Sequence, residues 1–236
     1  MSQIQDQLRC EVAKLLEEKT IDLFLGYEVA DLPLKTAACF IRTAQDVDRL
    51  VWNRSCTANL AALLPQVFKK PAGIRGDWTP PRVGVLAKGC VSRSIVGLIK
   101  AHQVPRDGLF ILGVGCEGMI DRHRAARLLG TAELIEAEVG NDGDIRLCGT
   151  GGAERVADID AVLADSCNVC RFRAAVLADA TIGDASDERE VPERYANVEA
   201  FESKEIDERW DDFVAEISRC VRCYACRNVC PLCYCP

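Results

Sequence analysis

Four cysteines near the C-terminus have a spacing that suits metal chemistry. Cys220, Cys223, Cys226 and Cys230 form the pattern C-x2-C-x2-C-x3-C, and Pro231 follows directly. Bacterial-type ferredoxins use this run, because short gaps let one loop carry its thiolates to separate irons of a cluster. The amides between the cysteines can then donate hydrogen bonds to sulfur. The spacing predicts a [4Fe-4S] cluster in this tail.

Two questions about the tail stay open from the sequence. Four neighbouring thiolates also bind Zn²⁺, although zinc sites usually pair two C-x2-C knuckles across a longer gap. In two-cluster ferredoxins the cysteine before proline serves the other cluster. Cys233 and Cys235 lie close enough along the chain to replace Cys230 as the fourth ligand. Three ligands at x2 spacing favour the iron–sulfur cluster over zinc.

A second group of cysteines begins with Cys90 and Cys116, which each follow an apolar run. Residues 83–87 and 109–114 have the composition of buried strands, and residues 91–102 between them have helical spacing. Strand, helix and strand in this order predict a βαβ unit with parallel strands. Both cysteines then leave the sheet at its carboxyl edge, where open α/β sheets bind ligands.

Cys167 and Cys170 supply a further pair at ligand spacing. A single cysteine after a strand is usually a small buried hydrophobe, and a lone C-x2-C pair also suits a redox dithiol. A disulfide reductase that uses Cys167 and Cys170 is therefore one alternative. Together with Cys90 and Cys116, the pair makes a complete set of four ligands for a second [4Fe-4S] cluster.

The segments around these cysteines resemble the beta subunits of coenzyme F420-reducing hydrogenases and F420-dependent formate dehydrogenases. Residues 83–93 end a strand in Gly-Cys, residues 110–116 end another in Gly-x-x-Cys, and residues 167–184 carry C-x2-C before Ala-Asp-Ala-Thr-Ile-Gly. The likeness covers about residues 20–184. It implies an electron-transfer subunit with a [4Fe-4S] cluster beside FAD. The cluster ligands that it implies are Cys90, Cys116, Cys167 and Cys170.

The resemblance also implies partners for this chain. They would be other redox subunits of an anaerobic complex of the hydrogenase, formate dehydrogenase or heterodisulfide reductase type. The chain would be the electron-entry or relay subunit, passing electrons between a flavin and two [4Fe-4S] clusters. The hydride carrier, coenzyme F420 or NAD(P), is left open. A flavin-free adaptor that wires clusters between subunits is the alternative function.

The predicted flavin site lies at the start of the crossover helix. Backbone amides and the helix dipole favour a phosphate group there. Lys88, Ser92, Arg93 and Ser94 stand at this point of the sequence and are the expected cofactor-binding residues. An equally good interpretation is that Lys88 and Arg93 are ordinary solvated charges without a ligand.

The predicted strands and helices around these cysteines indicate an α/β fold. We expect an open, mostly parallel sheet with flanking helices, plus a small C-terminal cysteine-rich segment that binds a cluster. The predicted division is an N-terminal docking helix in 1–19, an iron–sulfur flavoprotein domain in 20–183, an acidic linker in 184–204, and a helix with the ferredoxin-like segment in 205–236. The linker is expected because residues 184–212 hold twelve acids and four bases.

Smaller elements complete the sequence-based scheme. Short apolar runs predict buried strands at 23–25 and 38–41. A helical piece at 57–64 is expected to end at Pro65. Asn-Asp-Gly at 141–143 predicts a hairpin turn, and a helix is expected over 153–163.

Length and composition limit the class of protein. The chain has 236 residues, fourteen cysteines and a net charge of −7. A chain of this length holds a core without disulfides, so most of the cysteines need a chemical role. The sequence has no signal peptide and no apolar stretch that spans a bilayer, and its acidic balance disfavours nucleic acid. We therefore expect a cytoplasmic protein, with Cys10, Cys39, Cys56 and Cys148 in core packing.

Overall fold

The structure is a computed structural model that describes residues 3–140, 143–183 and 188–233. The strands, in chain order, are β1 (Leu23–Val29), β2 (Thr36–Ile41), β3 (Val83–Ala87), β4 (Leu109–Val114), β5 (Leu134–Val139), β6 (Asp144–Gly149), β7 (Glu154–Asp158) and β8 (Ala180–Ile182). The helices are α1 (Gln3–Glu17), α2 (Leu64–Val67), α3 (Gly89–Lys100), α4 (Arg122–Arg127), α5 (Asp165–Asn168), α6 (Ala196–Glu202), α7 (Ile206–Ser218) and α8 (Ala225–Val229). Within these residues, no helix combines the length and hydrophobicity that a bilayer crossing requires.

The main sheet has five strands in the order β2-β1-β3-β4-β8. Strands β1, β3, β4 and β8 run parallel to one another, and β2 pairs antiparallel with β1 at the outer edge. Every residue of β3 is buried, as expected for a central strand of a parallel sheet that is covered on both faces. The α/β fold class and the βαβ unit are confirmed, with β3 and β4 as direct neighbours.

Two helices cover this sheet through apolar faces with helical spacing. Helix α1 buries Leu8, Val12 and Leu15 in the main core, so it packs on the body of the protein. Helix α3 buries Ile95 and Leu98 in the same core. Burying a side chain of this size contributes about 1.5–3 kcal/mol. These contacts fix the start of α3 against the end of β3.

A second, antiparallel sheet has the order β5-β6-β7 and its own small core around Ile145 and Leu147. The predicted hairpin strands are present, while residues 141 and 142 of the expected turn lie outside the described residues. The helix expected over 153–163 is wrong. Strand β7 and a 3₁₀ turn at Ile159–Val162 occupy that region, because β6 offers an open edge whose backbone groups β7 satisfies.

The expectation that a helix ends at Pro65 is also wrong. A 3₁₀ turn at Leu60–Leu63 leads into α2, and Pro65 stands in the first turn of that helix. Proline is favoured there because its fixed φ suits a helix and the first amides have no partner within the helix. The residue marks a helix start instead of an end.

The C-terminal part contains α6, α7 and α8. Helix α6 falls within the predicted acidic linker, of which residues 184–187 lie outside the described residues. Helix α7 has Ile206, Trp210 and Ile217 exposed to solvent. The tail then returns to the body, where Leu232 approaches Gly97 of α3. The division of the chain into four domains stays a prediction.

Candidate metal centre

Four cysteines from three separate segments line one cavity. Cys90, Cys116, Cys167 and Cys170 surround a space of about 170 Å³. One water molecule occupies about 30 Å³ of the liquid, so the cavity has room for a group larger than a single ion. Cys116 is buried, Cys167 and Cys170 are half-buried, and Cys90 is exposed at the cavity wall. The structure therefore brings together the four residues that the sequence grouped as one ligand set.

The sheet topology explains how two of these cysteines meet. Cys90 lies in the first turn of α3, three residues after β3 ends, and Cys116 lies two residues after β4 ends. Because β3 and β4 are adjacent and parallel, with Ala87 opposite Gly113, both cysteines leave the sheet at the same edge. Neighbouring strands lie about 4.8 Å apart, which keeps the two thiols close.

The other two cysteines reach the cavity because Gly89 lacks a side chain. A Cβ at Gly89 would lie 2.5 Å from the carbonyl oxygen of Phe172 and 2.8 Å from that of Ala174. Real Cβ atoms do not approach backbone oxygens this closely, so a larger residue would push the segment away. Glycine at this position lets the segment after Cys170 pack directly on the start of α3.

Backbone amides donate hydrogen bonds to three of the sulfur atoms. The Met119 amide donates to Cys167 Sγ at 3.4 Å. The sulfurs of Cys90 and Cys116 accept from the amides one and two residues further along the chain, respectively. Such bonds favour the thiolate form and help to set the reduction potential of an iron–sulfur centre. The cavity thus has the amide environment that bound thiolates require.

Burial acts against ionisation of the same thiols. The pKa of Cys90 and that of Cys116 are raised, mainly because the surrounding protein removes water from both sulfurs. Lys88 and the amide hydrogen bonds oppose this effect. A thiol with a raised pKa stays protonated near neutral pH, and metal binding must then release its proton.

Lys88 is buried, which neither interpretation of the sequence anticipated. The residue lines the cavity, and its Nζ donates to the carbonyl oxygen of Cys56. The ammonium also lies 5.4 Å from the ring centroid of Tyr27. The interpretation of Lys88 as a solvated charge is therefore wrong, because the side chain is enclosed at the junction of β3 and α3. Its assignment as a cofactor-binding residue stays a prediction.

The other three residues of the predicted flavin site have partners within the chain. Ser92 Oγ donates to the carbonyl of Leu177 at 3.0 Å and accepts from its amide at 2.9 Å. The Arg93 guanidinium donates to the carbonyl of Phe172 and lies 4.6 Å from its ring centroid. Ser94 Oγ donates to the carbonyl four residues earlier. These contacts tie α3 to its neighbours and give no support to a flavin site, which stays a prediction.

The C-terminal cysteines surround α8: Cys220 and Cys223 precede the helix, Cys226 lies in it and Cys230 follows it. Cys220, Cys223 and Cys226 are exposed. Arg222 and Tyr224, on either side of Cys223, have left-handed backbones with φ of 55° and 59°. Left-handed residues turn successive amides towards one side of a loop, and this arrangement is found around phosphates and iron–sulfur clusters.

Cys230 and Cys233 are neighbours at the end of this loop. The pKa of Cys230 is lowered, because its sulfur accepts hydrogen bonds from the Leu232 amide and from Cys233. The electrostatic influence of Cys226 reaches Cys233 as well. Cys233 is therefore placed beside Cys230, as an alternative fourth ligand must be, whereas Cys235 lies outside the described residues.

The chain was compared with known protein families and with solved structures. No protein-family model matches the chain. Among solved structures, a chain from the F420-reducing [NiFe] hydrogenase complex of Methanosarcina barkeri superposes with a TM-score of 0.53, covering 88% of this chain and 72% of that chain at 16% sequence identity. The two chains share a fold. At this identity the likeness extends to the fold and no further.

Sequence reasoning missed several residues of the cavity. Gly118, with φ of 105°, and Met119 line it beside Cys116 and Cys167. A glycine two residues after a strand-end cysteine is a weak signal for such a turn, and the burial of Lys88 had no local signal. In the described residues, no group of three or more His, Cys, Asp or Glu side chains is arranged to hold a single metal ion as it stands.

The four cysteines assigned to packing have different environments. Cys39 and Cys56 are buried in the main core, as expected. Cys148 is half-buried, and Cys10 is exposed on α1, so the expectation of core packing is wrong for Cys10.

Proposed function

We propose that this chain is an electron-transfer subunit that binds one [4Fe-4S] cluster in the cysteine cavity and a second in the C-terminal loop. The observation that carries the proposal is the convergence of Cys90, Cys116, Cys167 and Cys170 on one cavity. Each thiolate would hold one corner of a cluster. A bound cluster supplies the ability to take up and release one electron without breaking bonds to the protein.

The residues present fit a cluster better than the alternatives. A single Zn²⁺ ion binds sulfur at about 2.3 Å and fills only a small part of a cavity of about 170 Å³. A dithiol reductase needs Cys167 and Cys170 to react with each other. The Cys170 thiol instead donates to the carbonyl of Phe172 at 3.4 Å, and Cys167 accepts from Met119. The protein would hold its thiolates, bond them with amides and exclude water.

The two centres would have different places in the path of electrons. The cavity lies at the edge of the main sheet, within the body of the protein, whereas Cys220, Cys223 and Cys226 are exposed. An exposed cluster can approach a partner closely, which suits electron exchange between subunits. The shared fold with a chain of a [NiFe] hydrogenase complex supports a place in a multi-subunit redox complex.

A flavin-free adaptor is the second candidate, and a specific observation favours it. Ser92, Arg93 and Ser94 already have partners within the chain, and Lys88 is enclosed. A flavin phosphate would have to displace these contacts or bind elsewhere. The adaptor predicts clusters without flavin, while the flavoprotein predicts FAD in a one-to-one ratio.

The experiment measures iron, acid-labile sulfide and flavin in the anaerobically purified protein. We expect about eight irons for each chain, on the basis of two four-iron clusters. Cys116→Ala and Cys223→Ala should each remove about half of the iron, and Cys10→Ala, which alters an exposed cysteine outside both groups, should remove none. A protein that holds only zinc, or equal iron in all three variants, would contradict the proposal. Flavin content separates the two candidates.

A further inference from the structure

Lys88 is a buried cation that has no acidic partner among the residues that the structure describes. The side chain is 2% exposed. Its ammonium has three N–H donors, of which one reaches the carbonyl of Cys56. None of the ion pairs among the described residues includes Lys88. Burying a charge without a counter-charge is strongly unfavourable, so a negative group near Lys88 would stabilise this arrangement.

The cavity is where that negative group would be. Lys88 lines it together with Cys90 and Cys116, two residues of the proposed ligand set. The cation lies close enough to act electrostatically on both sulfurs. The aromatic face of Tyr27, 5.4 Å from the ammonium, supplies only a weak attraction from another side. Four thiolates around a cluster carry net negative charge, and the Lys88 cation acts electrostatically on two of their sulfurs, those of Cys90 and Cys116.

We propose that Lys88 is a positioning residue that provides the counter-charge for the cavity cluster and raises its reduction potential. This inference rests on the proposed function of the cavity. When a partner subunit's one-electron donor reduces the cluster, the cluster gains one negative charge, and no bond is made or broken at Lys88. A fixed cation stabilises the reduced form more than the oxidised form, because the reduced form carries more negative charge.

The test is a potential titration of the cluster-loaded protein, followed by electron paramagnetic resonance with dithionite as reductant. Lys88→Gln removes the charge but keeps an N–H donor for the carbonyl of Cys56. We expect a tenfold or larger shift of the equilibrium towards the oxidised cluster, which is about 59 mV for one electron. Lys88→Arg keeps the charge and should leave the potential close to that of the unchanged protein.

A matched control lies at the other end of the same helix. Lys100 is exposed in the last turn of α3, about 18 Å from Lys88 at 1.5 Å per residue. At that distance solvent and salt screen its charge. Lys100→Gln should therefore leave the potential unchanged, which shows that general loss of a positive charge is not the cause.

Iron content and the resonance signal are measured first, so that the two proposals fail separately. Absence of a cavity cluster in the unchanged protein overturns the proposed function and this inference together. A retained cluster with an unchanged potential in Lys88→Gln overturns the inference alone. If Lys88→Gln and Lys88→Met lose the cluster while Lys88→Arg keeps it, the counter-charge is required for binding and the inference stands. Loss in all three variants assigns Lys88 a steric role and overturns it.

Discussion

The two cysteine groups of this protein are built in opposite ways. The cavity collects Cys90, Cys116, Cys167 and Cys170 from distant segments, and the fold supplies its amide hydrogen bonds and its buried cation. The tail places its cysteines within residues 220–230, where Cys220, Cys223 and Cys226 are exposed. The cavity therefore depends on tertiary structure, whereas the tail depends on local spacing. Each prediction below tests this difference.

Removing one ligand from each group should affect stability unequally. Cys116→Ala deletes a buried side chain and, under the proposed function, the cavity cluster, so we expect the free energy of unfolding to fall by about 3 kcal/mol and the Tm by about 6–12 °C. Cys223→Ala should change the Tm of the body by less than about 2 °C, because Cys223 is exposed and its truncation removes little buried surface. Calorimetry of the cluster-loaded variants measures both values. Equal falls in Tm would remove the distinction between the two groups.

Gly89→Ala should disrupt the cavity without touching a cysteine. The added Cβ would meet the carbonyl oxygens of Phe172 and Ala174, so the segment that carries Cys170 must move. We expect about 2 kcal/mol of destabilisation from overpacking and loss of about half of the iron, with the tail cluster retained. Urea unfolding and iron analysis measure the two effects.

Gly97→Ala is the matched control on the same helix. A Cβ there would lie 3.4 Å from the end of the Leu232 side chain, which is ordinary contact. Alanine is also the better helix former, by about 1 kcal/mol. This variant should keep its full iron content and be at least as stable as the unchanged protein. Iron loss from Gly97→Ala would contradict the prediction, because the effect of Gly89→Ala would then not be specific to the contact with Phe172 and Ala174.

Ser92→Ala separates a structural serine from a flavin ligand. Its hydroxyl exchanges two hydrogen bonds with the backbone of Leu177 inside the protein. Loss of the hydroxyl leaves both backbone groups without these bonds, so we expect about 1–2 kcal/mol of destabilisation in urea unfolding. The tail cluster should be unaffected. Loss of bound flavin with unchanged stability would instead support the flavin site predicted from the sequence.

The core cysteines should produce a small dependence of stability on alkaline pH. Burial raises the pKa of Cys56 from 9.0 to about 11. Above pH 9 the unfolded chain ionises at this position while the folded chain stays protonated, so stability is full below pH 9 and falls as pH rises towards 11. The loss due to Cys56 should be about 1 kcal/mol at pH 10. Urea unfolding at pH 8 and pH 10 should show a smaller difference in Cys56→Ala than in the unchanged protein or in Cys10→Ala.

Much of the main sheet could be predicted from the sequence. The apolar runs of β3 and β4, with helical spacing between them, are a strong local signal for a parallel βαβ unit. That unit in turn places Cys90 and Cys116 at one edge, because parallel strands end on the same side. The sequence pattern therefore predicts the position of two of the four cavity cysteines, without any information on tertiary contacts.

Other elements could not be predicted because distant partners decide them. Strand β7 forms on the open edge of β6, although residues 153–163 suggested a helix. Pro65 was expected to end a helix, yet it stands in the first turn of α2. Proline breaks a helix interior but favours its first turn, so its effect depends on where the neighbouring chain packs.

The sequence by itself determined the spacing of the tail cysteines and the direction of the central strands, since both follow from residues close together in the chain. The sequence grouped Cys167 and Cys170 with Cys90, but only the tertiary structure decided how they meet, because the backbone oxygen of Phe172 packs on Gly89. It also decided that Lys88 is buried. Burial and convergence depend on contacts between distant segments, and a lysine has the same local signature whether water or protein surrounds it.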